Sequence, residues 1–380
     1  MSDVETWRAE IPAVADEGLI HLNNCSAGPI PQRGLEARRE CERVWIEEPN
    51  PWETWLETVE EAKTRFADLI GAEPNEIAVC SGATDALARL ASAFDYEGRD
   101  GVVVSDLEFP TVPQFWHGQE GRGARLSYAE SPDGISVPVG AYADAIDDDT
   151  LLVSTSHARS FTGSLLDVAG VADVVHDHGG YLVLDAYQSA GVVPIDVDAM
   201  GVDALISGTL KFLLGGPGIA FLYVDDTVVD DLEPTTRGWF GAKDVFGFER
   251  DPDYAAGAQR FELGTPPATC AYQAAAGMEL IQAVGVDRIR DRVVRHTRHL
   301  IDGAEELGFS VRTPRADDRR GGVVNVAMED PDATEAAMID AGFALSTRAG
   351  GIRLAPHFYT TEAEIGATLE ALETHATPAQ

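Results

Sequence analysis

Two residues that could do chemistry together, Asp185 and Lys211, each follow a short apolar run. Asp185 comes directly after the run at 181–184, and Lys211 comes shortly after the run at 204–206. Apolar runs of this length are typical of strands that are covered on both faces of a parallel α/β sheet. Such sheets bind ligands beyond the carboxyl ends of their strands, so the sequence predicts that the carboxylate and the amine face one crevice.

A lysine and an acid placed in this way suit pyridoxal phosphate. The amine can form a Schiff base with the aldehyde, and an acid that contacts the pyridine nitrogen keeps it protonated, so that the ring accepts electrons. A buried structural ion pair, or a lysine that reaches out to solvent, would leave the same pattern. The two residues alone therefore leave these alternatives open.

Composition narrows the classes of function. The chain has 380 residues, of which 64 are acidic and 28 basic, giving a formal net charge of −36. This charge repels phosphates and argues against nucleic-acid binding, while a hydrophobic share of 44% argues against disorder. No apolar run reaches the roughly 20 residues of a membrane span. We interpret the acidic surface as a solvated shell suited to a high-salt cytoplasm.

The N-terminus and the cysteines point to the same compartment. The stretch MSDVETWRAEIP has no basic region followed by an apolar core, so we expect no secretory signal. The four cysteines, Cys25, Cys41, Cys80 and Cys270, lack metal-ligand spacing. We expect a cytoplasmic enzyme with buried thiols and no bound metal.

Strands and helices alternate through the first two thirds of the chain. Strands are predicted at 77–80, 102–105, 151–155, 181–184, 204–206 and 219–224, and helices at 31–47, 54–70, 85–93 and 168–178. This alternation predicts an open, mostly parallel sheet between helices. No GxGxxG follows the first strand and no Walker A motif is present, so the fingerprints of dinucleotide and nucleotide sites are lacking.

The last third predicts a second, smaller unit. Pro266 and Pro267 would begin a long helix, followed by helices at 287–307, 331–341 and 361–375 and strands at 323–327, 344–348 and 352–355. We predict a large domain over 15–262 and a small α+β domain built from 1–14 and 263–380. The two should pack closely, because no low-complexity linker separates them.

Together these blocks resemble the class V aminotransferase family of fold-type I pyridoxal-phosphate enzymes, over nearly the whole chain and in the same order. That family includes cysteine desulfurases, kynureninases and isopenicillin N epimerase-like proteins. The resemblance implies a fold-type I large domain, a homodimer with shared active sites, and an α-amino acid as substrate. It also implies that Lys211 forms the Schiff base and that Asp185 contacts the pyridine nitrogen.

The resemblance assigns further contacts to the cofactor. They are Gln188 at the ring hydroxyl, Ala83 and Thr84 at the phosphate with additions from Ser207 and Thr209, Phe109 stacked on the ring, Ser160 where desulfurases have a ring-contacting Asn, and Gly264 with Thr265 reaching the phosphate of the neighbouring subunit. The turn Ser81-Gly82-Ala83-Thr84 opens a helix, which suits a phosphate, although such turns more often only cap a helix. Phe109 could equally be ordinary core packing.

Substrate binding is implied for Arg353 and Asn24. Arg353, in Gly-Ile-Arg-Leu-Ala-Pro, resembles the family's arginine for the substrate carboxylate, and its planar fork matches a carboxylate. A surface salt bridge is the alternative for Arg353 in so acidic a chain. Asn24 lies in the polar turn at 24–29.

Departures from the family's patterns narrow the range of reactions that the resemblance implies. Cysteine desulfurases carry a nucleophilic Cys in a loop shortly before the position of Arg353, whereas this chain has Thr-Arg-Ala-Gly-Gly at 347–351. Leu210 replaces the His or Tyr that often precedes the lysine. Phe109 and the Trp-Phe-Gly at 239–241 favour the kynureninase/epimerase branch, with transaminase, lyase or epimerase chemistry. The alternatives are a desulfurase or selenocysteine lyase-like enzyme, or a catalytically silent paralogue that only binds the cofactor.

Overall fold

A computed structural model of the chain describes residues 3–15 and 18–379. Residues 1 and 2 of the predicted small domain, and residues 16 and 17 of the predicted large one, lie outside the described residues, as does residue 380. The α-helices are α1 (Asp3–Arg8), α2 (Pro12–Ala15), α3 (Gln32–Glu47), α4 (Trp52–Ile70), α5 (Ala83–Ala91), α6 (Thr111–Gln119), α7 (Val139–Ala145), α8 (Val168–Asp177), α9 (Val197–Met200), α10 (Ala268–Val284), α11 (Val286–Glu306), α12 (Pro331–Asp340) and α13 (Glu362–His375).

The strands form three sheets. They are β1 (Ile20–His21), β2 (Ile77–Cys80), β3 (Gly101–Ser105), β4 (Arg125–Ala129), β5 (Thr150–Ser156), β6 (Tyr181–Asp185), β7 (Ala204–Gly208), β8 (Ala220–Val224), β9 (Ser310–Val311), β10 (Val324–Ala327), β11 (Phe343–Ala344), β12 (Ser346–Arg348) and β13 (Gly351–Leu354). Short 3₁₀ turns lie at Pro74–Glu76, Glu120–Arg122, Val229–Asp231, Trp239–Gly241, Gly257–Phe261 and Asp317–Arg319.

The large sheet has seven strands in the order β2-β8-β7-β6-β5-β3-β4. Strands β4, β3, β5, β6 and β7 run parallel to one another, and β8 is antiparallel to both β7 and β2. The predicted mostly parallel α/β sheet is therefore confirmed. The central strands β5, β7 and β8 are buried along their length, as is typical of strands covered on both faces.

Helices cover both faces of this sheet. On one face α4, α8 and α10 bury apolar side chains such as Phe66, Val171 and Met278. On the other face α5 and α6 do so through Leu90 and Trp116. Successive strand residues point to opposite faces of the sheet. Leu182 therefore packs in the apolar layer under α4, α8 and α10, and Val183 packs in the layer under α5 and α6. Strand β4 and helices α6 and α7 were not predicted. Strand β4 lies at the edge of the sheet, and its side chains are partly exposed, so its sequence gives a weak apolar signal.

The small sheet has four antiparallel strands in the order β12-β13-β10-β9 and packs against α11, α12 and α13. Strand β1 pairs in parallel with β11, and Asn23 bridges to Ala355. The segment at 20–23, which the predicted bounds assign to the large domain, thus pairs with elements of the predicted small domain. The domain bounds themselves stay a prediction. Among the described residues no helix is both long and apolar enough to cross a membrane.

Candidate active site

A cavity of about 350 Å³ lies at the carboxyl ends of β6 and β7. One face of the sheet forms its floor, through Ser154, Val183, Asp185 and Ile206. The strand register explains this set, because Ser154 lies opposite Val183, and Asp185 lies opposite Ile206. The predicted meeting point of strand ends is therefore a real cavity, and Lys211 also lines it.

Lys211 follows β7 by three residues and is held through its neighbours. The Leu210 carbonyl accepts a hydrogen bond from the Gly28 amide at 2.9 Å, and the Phe212 carbonyl accepts one from His357 Nε2 at 2.9 Å. Burial lowers the pKa of Lys211 to about 8, although the Asp185 carboxylate acts to raise it. A much larger share of this amine is therefore neutral near neutral pH than of an ordinary lysine.

Asp185 is held at the other side of the cavity floor. Its Oδ1 accepts a hydrogen bond from the Tyr187 amide at 2.8 Å. Burial raises the pKa of Asp185, whereas the Tyr187 amide and the Lys211 charge lower it. A cationic nitrogen placed against this carboxylate would favour its charged form.

Two aromatic rings lie over Lys211. The Lys211 Nζ is 4.1 Å from the centre of the Tyr187 ring and 5.6 Å from the centre of the Phe109 ring. Phe109 is 42% exposed although it lines the cavity. A core phenylalanine would be covered by protein, so the exposed face of this ring is available to a planar ligand.

Gln188 presents an unused acceptor. Its Nε2 donates to the Cys25 carbonyl at 2.9 Å, which ties the segment after β1 to the cavity wall. Its Oε1 is buried and has no hydrogen-bond partner among the described residues. A buried acceptor without a donor is costly, and a ligand hydroxyl would satisfy it.

The cavity is also lined by Ala83 and Thr84, the first two residues of α5. The first N–H groups of a helix have no partner within it, and the helix dipole favours an anion at this end. The amine of Lys211, the carboxylate of Asp185, the free acceptor of Gln188 and this helix start are the groups that pyridoxal phosphate needs. The residues present therefore fit the predicted cofactor.

Arg353 lines the same cavity from β13 and is only 3% exposed. Its Nη1 donates to the Ser160 carbonyl at 3.0 Å and its Nη2 to the Ser346 hydroxyl at 2.8 Å. Its Nε is buried without a partner, and the described residues give it no salt bridge. A buried guanidinium without a carboxylate is unfavourable unless a ligand supplies one.

A buried ion pair supports the cavity from behind. Glu108, next to Phe109, pairs with Arg159, next to Ser160, and both side chains are almost fully buried. Glu108 also accepts from the hydroxyl groups of Ser105 and Thr155, each at 2.9 Å. The loops that carry Phe109 and Ser160 are thereby linked to β5.

Several residues assigned from the sequence lie outside the cavity lining. Ser207 donates to the Gly208 carbonyl and Thr209 to the Gly216 carbonyl, so both hydroxyls bind backbone. The Ser160 hydroxyl is buried without a partner, and the backbone carbonyl of Ser160 accepts a hydrogen bond from Arg353.

Asn24 and the Gly264-Thr265 segment are also absent from this lining. Asn24 is fully buried, donates to the Ala355 carbonyl at 2.8 Å and accepts from the Tyr359 hydroxyl at 2.9 Å. Both ends of its side chain therefore bind protein. Gly264 and Thr265 are exposed on the surface of this chain, so any contact of theirs with a cofactor phosphate would need a second subunit.

Sequence reasoning missed Cys25, Tyr187 and Arg348, which all line the cavity. Tyr187 follows Asp185 by two residues, so its proximity could have been inferred. Cys25 and Arg348 come from distant parts of the chain, and no local pattern signals their position. No group of three or more His, Cys, Asp or Glu side chains that could hold a metal occurs among residues 3–15 and 18–379.

The chain is similar to known proteins over most of its length. The family model described as Aminotransferase class-V matches residues 51–365. The uncharacterized aminotransferase YcbU of Bacillus subtilis is 35% identical over 363 residues, covering 95% of each chain. A kynureninase of Pseudomonas fluorescens is 28% identical, covering 86% of this chain and 81% of its own.

The fold also has a solved counterpart. The apo structure of a cysteine desulfurase from Thermococcus onnurineus NA1 superimposes with a TM-score of 0.87 over 97% of each chain. The two chains are 23% identical, so this likeness concerns the fold.

Proposed function

Since the chain belongs to the class V aminotransferase family and is a pyridoxal-phosphate-dependent enzyme, we propose that Lys211 binds the cofactor covalently and that Arg353 binds the α-carboxylate of an amino acid. One observation carries the second part. Arg353 is a buried guanidinium without a salt bridge among the described residues, in a chain with 64 acidic residues, and it lines the same cavity as Lys211. A substrate carboxylate is the natural partner for it.

Pyridoxal phosphate, when bound, supplies an electron sink for bonds at the amino-acid α-carbon. Asp185 would hold the proton on the pyridine nitrogen, and the free Oε1 of Gln188 would accept a hydrogen bond from the ring hydroxyl. Ala83 and Thr84 would bind the phosphate through their amides, while Phe109 would stack on the ring. Ser207, Thr209 and Ser160 would support these groups through the backbone contacts described above.

Lys211, when its amine is free, would be the candidate proton carrier. Its lowered pKa of about 8 suits that role, because the group can both accept and return a proton near neutral pH. Arg353 would hold the substrate so that its α-carbon faces this amine. Asn24 would act on the substrate indirectly, since its side chain joins the segment before Cys25 to Ala355 beside β13.

The reaction belongs to the transaminase, lyase or epimerase group on this view. Strands β12 and β13 are joined by Ala349 and Gly350, both at positive φ, which is the two-residue turn of a tight hairpin. Such a turn has no room for a loop that carries a nucleophilic cysteine. This favours the aminotransferase and kynureninase relatives over a desulfurase as guides to the chemistry.

We further infer a homodimer and a cytoplasmic location. The exposed Gly264 and Thr265 lie directly before α10, where a second copy of the chain could receive them at its phosphate site. All four cysteines are free thiols, which is typical of a reducing compartment. Cross-linking and gel filtration of the purified protein would test the dimer.

The experiment for the substrate class uses the visible band of the bound cofactor. The holoenzyme is titrated with an amino acid and with the matching amine that lacks the carboxylate. Arg353→Ala should keep the cofactor band yet bind the amino acid at least about ten-fold more weakly, because a charge-assisted contact contributes about 1.5–3 kcal/mol. Arg353→Lys keeps the charge but loses the planar fork, so its affinity for the amino acid should lie between those of the parent enzyme and Arg353→Ala. Equal losses of affinity for the amino acid and for the amine would show that Arg353 has a structural role, and the support for this substrate class would be removed.

A further inference from the structure

Arg348 is a second cation in the cavity, and the hairpin geometry explains its place. Strands β12 and β13 are antiparallel, with Ser346 opposite Arg353 and Arg348 opposite Gly351. Ser346 and Arg348 are two residues apart, so their side chains leave the same face of the hairpin. Arg353 shares that face, since it donates to the Ser346 hydroxyl. The tight turn at 349–350 therefore sets Arg348 at the rim of the site that Arg353 occupies.

Arg348 has no acidic partner in the described part of the chain. Its recorded hydrogen bond runs from Nη1 to the carbonyl of its own neighbour, Thr347, at 2.8 Å, and its side chain is exposed. On the neighbouring helix α12, Glu335 Oε2 accepts hydrogen bonds from the amide and the hydroxyl of Thr347, at 3.0 and 2.6 Å. Asp332 accepts from the same hydroxyl at 3.1 Å.

The α-carboxylate does not need this second arginine. A guanidinium has five N–H donors, and Arg353 uses one on each terminal nitrogen for Ser160 and Ser346. One further N–H on each terminal nitrogen and the N–H on the partnerless Nε remain for a ligand. Two of them suffice for both oxygens of one carboxylate. Arg348 is then left over as a positive charge that the substrate's α-carboxylate does not account for.

The remaining charges in the cavity have other roles. Besides the two arginines, its charged lining residues are Asp185 and Lys211, which the proposed function commits to the cofactor. Burial lowers the pKa of Arg353, Cys25 and Glu335 act to raise it, and the charge of Arg348 lowers it, so the two cations repel each other on one face of the hairpin. An anion placed between or beside them would relieve this repulsion.

We propose that the substrate is an amino acid with an anionic side chain, a carboxylate of the aspartate or glutamate class, and that Arg348 binds this second anionic group. The proposal rests on the proposed function, since it assigns the α-carboxylate to Arg353. It also explains how a chain of net charge −36 would attract an anionic amino acid: two cations without acidic partners in one cleft focus a local positive field.

The test compares acids with their isosteric amides. The holoenzyme, Arg348→Gln and a control variant are titrated with L-aspartate, L-glutamate, L-asparagine and L-glutamine, and dissociation constants are read from the visible band of the cofactor. Arg348→Gln should bind the two acids at least about ten-fold more weakly and the two amides within about two-fold of the parent. Arg348→Lys should restore part of the affinity for the acids. Arg319→Gln removes an equally exposed positive charge outside the cavity lining and should change neither class.

Each other outcome has a distinct meaning. If Arg348→Gln weakens acids and amides equally, Arg348 shares the α-carboxylate and the inference is wrong, while the proposed function stands. The inference also falls if the parent enzyme responds to neutral amino acids but not to acidic ones. If the parent responds to no amino acid at all although its cofactor is bound, the proposed function fails, and the inference fails with it. Thermal melts of each variant show whether a loss reflects binding or unfolding.

Discussion

The amine of Lys211 lies 4.1 Å from the centre of the Tyr187 ring, and that ring in turn rests on Gly208. A Cβ atom added at Gly208 would meet a ring carbon of Tyr187 at 2.1 Å, well inside van der Waals contact. The glycine three residues before the lysine therefore makes room for the aromatic ring beside it.

Replacing Gly208 by alanine should consequently disturb the site. We expect Gly208→Ala to destabilise the protein by about 1–3 kcal/mol through overpacking and to weaken cofactor binding by displacing Tyr187. Gly98→Ala is the matched control, since nothing lies within 4 Å of a Cβ at that position. Urea melts and titration of the apo protein with pyridoxal phosphate would measure both effects. Indistinguishable behaviour of the two variants would show that Tyr187 can move without loss.

The lowered pKa of Lys211 gives a pH prediction. Only the neutral amine attacks an aldehyde, and burial lowers the pKa of Lys211 to about 8, compared with about 10.4 for a free lysine. The rate at which apo protein captures pyridoxal phosphate should thus rise with pH and level off just above pH 8. Lys211→Ala should give no borohydride-trapped adduct, whereas the exposed Lys243→Ala should still give it. A rate that keeps rising to pH 10 would contradict the buried position of the amine.

The buried pair of Glu108 and Arg159 gives a stability prediction. Removing one partner leaves an unpaired charge in the core, so Glu108→Ala should cost about 3–5 kcal/mol in unfolding free energy. The double variant Glu108→Leu/Arg159→Met should lose less stability than the sum of the losses of Glu108→Leu and Arg159→Met measured singly. The control is Glu61→Ala, which breaks the more exposed pair with Arg65 and should cost about 0.2–1 kcal/mol. Additive losses in the double variant would mean that the two side chains do not stabilise each other.

The tight hairpin at 348–351 gives a prediction about sulfur. No cysteine lies between Phe343 and Arg353, so the enzyme should not accumulate a persulfide when it is given cysteine. Cys25 is the residue to watch, because its thiol lines the cavity and lies 4.0 Å from the Ser346 hydroxyl. Mass spectrometry after turnover, with Cys25→Ser as the comparison, would show whether a persulfide forms. A persulfide on Cys25 would restore the desulfurase alternative.

The net charge of −36 gives a salt prediction. Repulsion among exposed carboxylates opposes the compact state, and salt screens it, with a Debye length falling from about 10 Å at 0.1 M to about 3 Å at 1 M. The midpoint of thermal unfolding should rise between these two salt concentrations. Potassium chloride is the suitable salt, since it acts mainly by screening. A midpoint of thermal unfolding that stays unchanged or falls as salt is added would contradict the hypothesis that the protein is adapted to high salt.

The sequence by itself determined the central sheet and the pair of residues at its edge. Short, mainly apolar runs made β5, β6 and β7 recognisable, and parallel strands bring their carboxyl ends to one edge of the sheet. Asp185 and Lys211 follow such ends, so their meeting in one cavity could be foreseen. Ala83 and Thr84, which begin a helix after β2, follow from the same rule.

Tertiary structure alone decided what else surrounds the cavity. Asn24 bonds to Ala355 across 331 positions of the chain, and Arg353 meets Ser160 across 193, so neither contact leaves a local pattern. Ser207 and Thr209 stand close to Lys211 in sequence, yet their hydroxyls donate to the backbone carbonyls of Gly208 and Gly216. Cys25 and Arg348 enter the cavity only because the segment after β1 and the β12–β13 hairpin fold onto the edge of the large sheet.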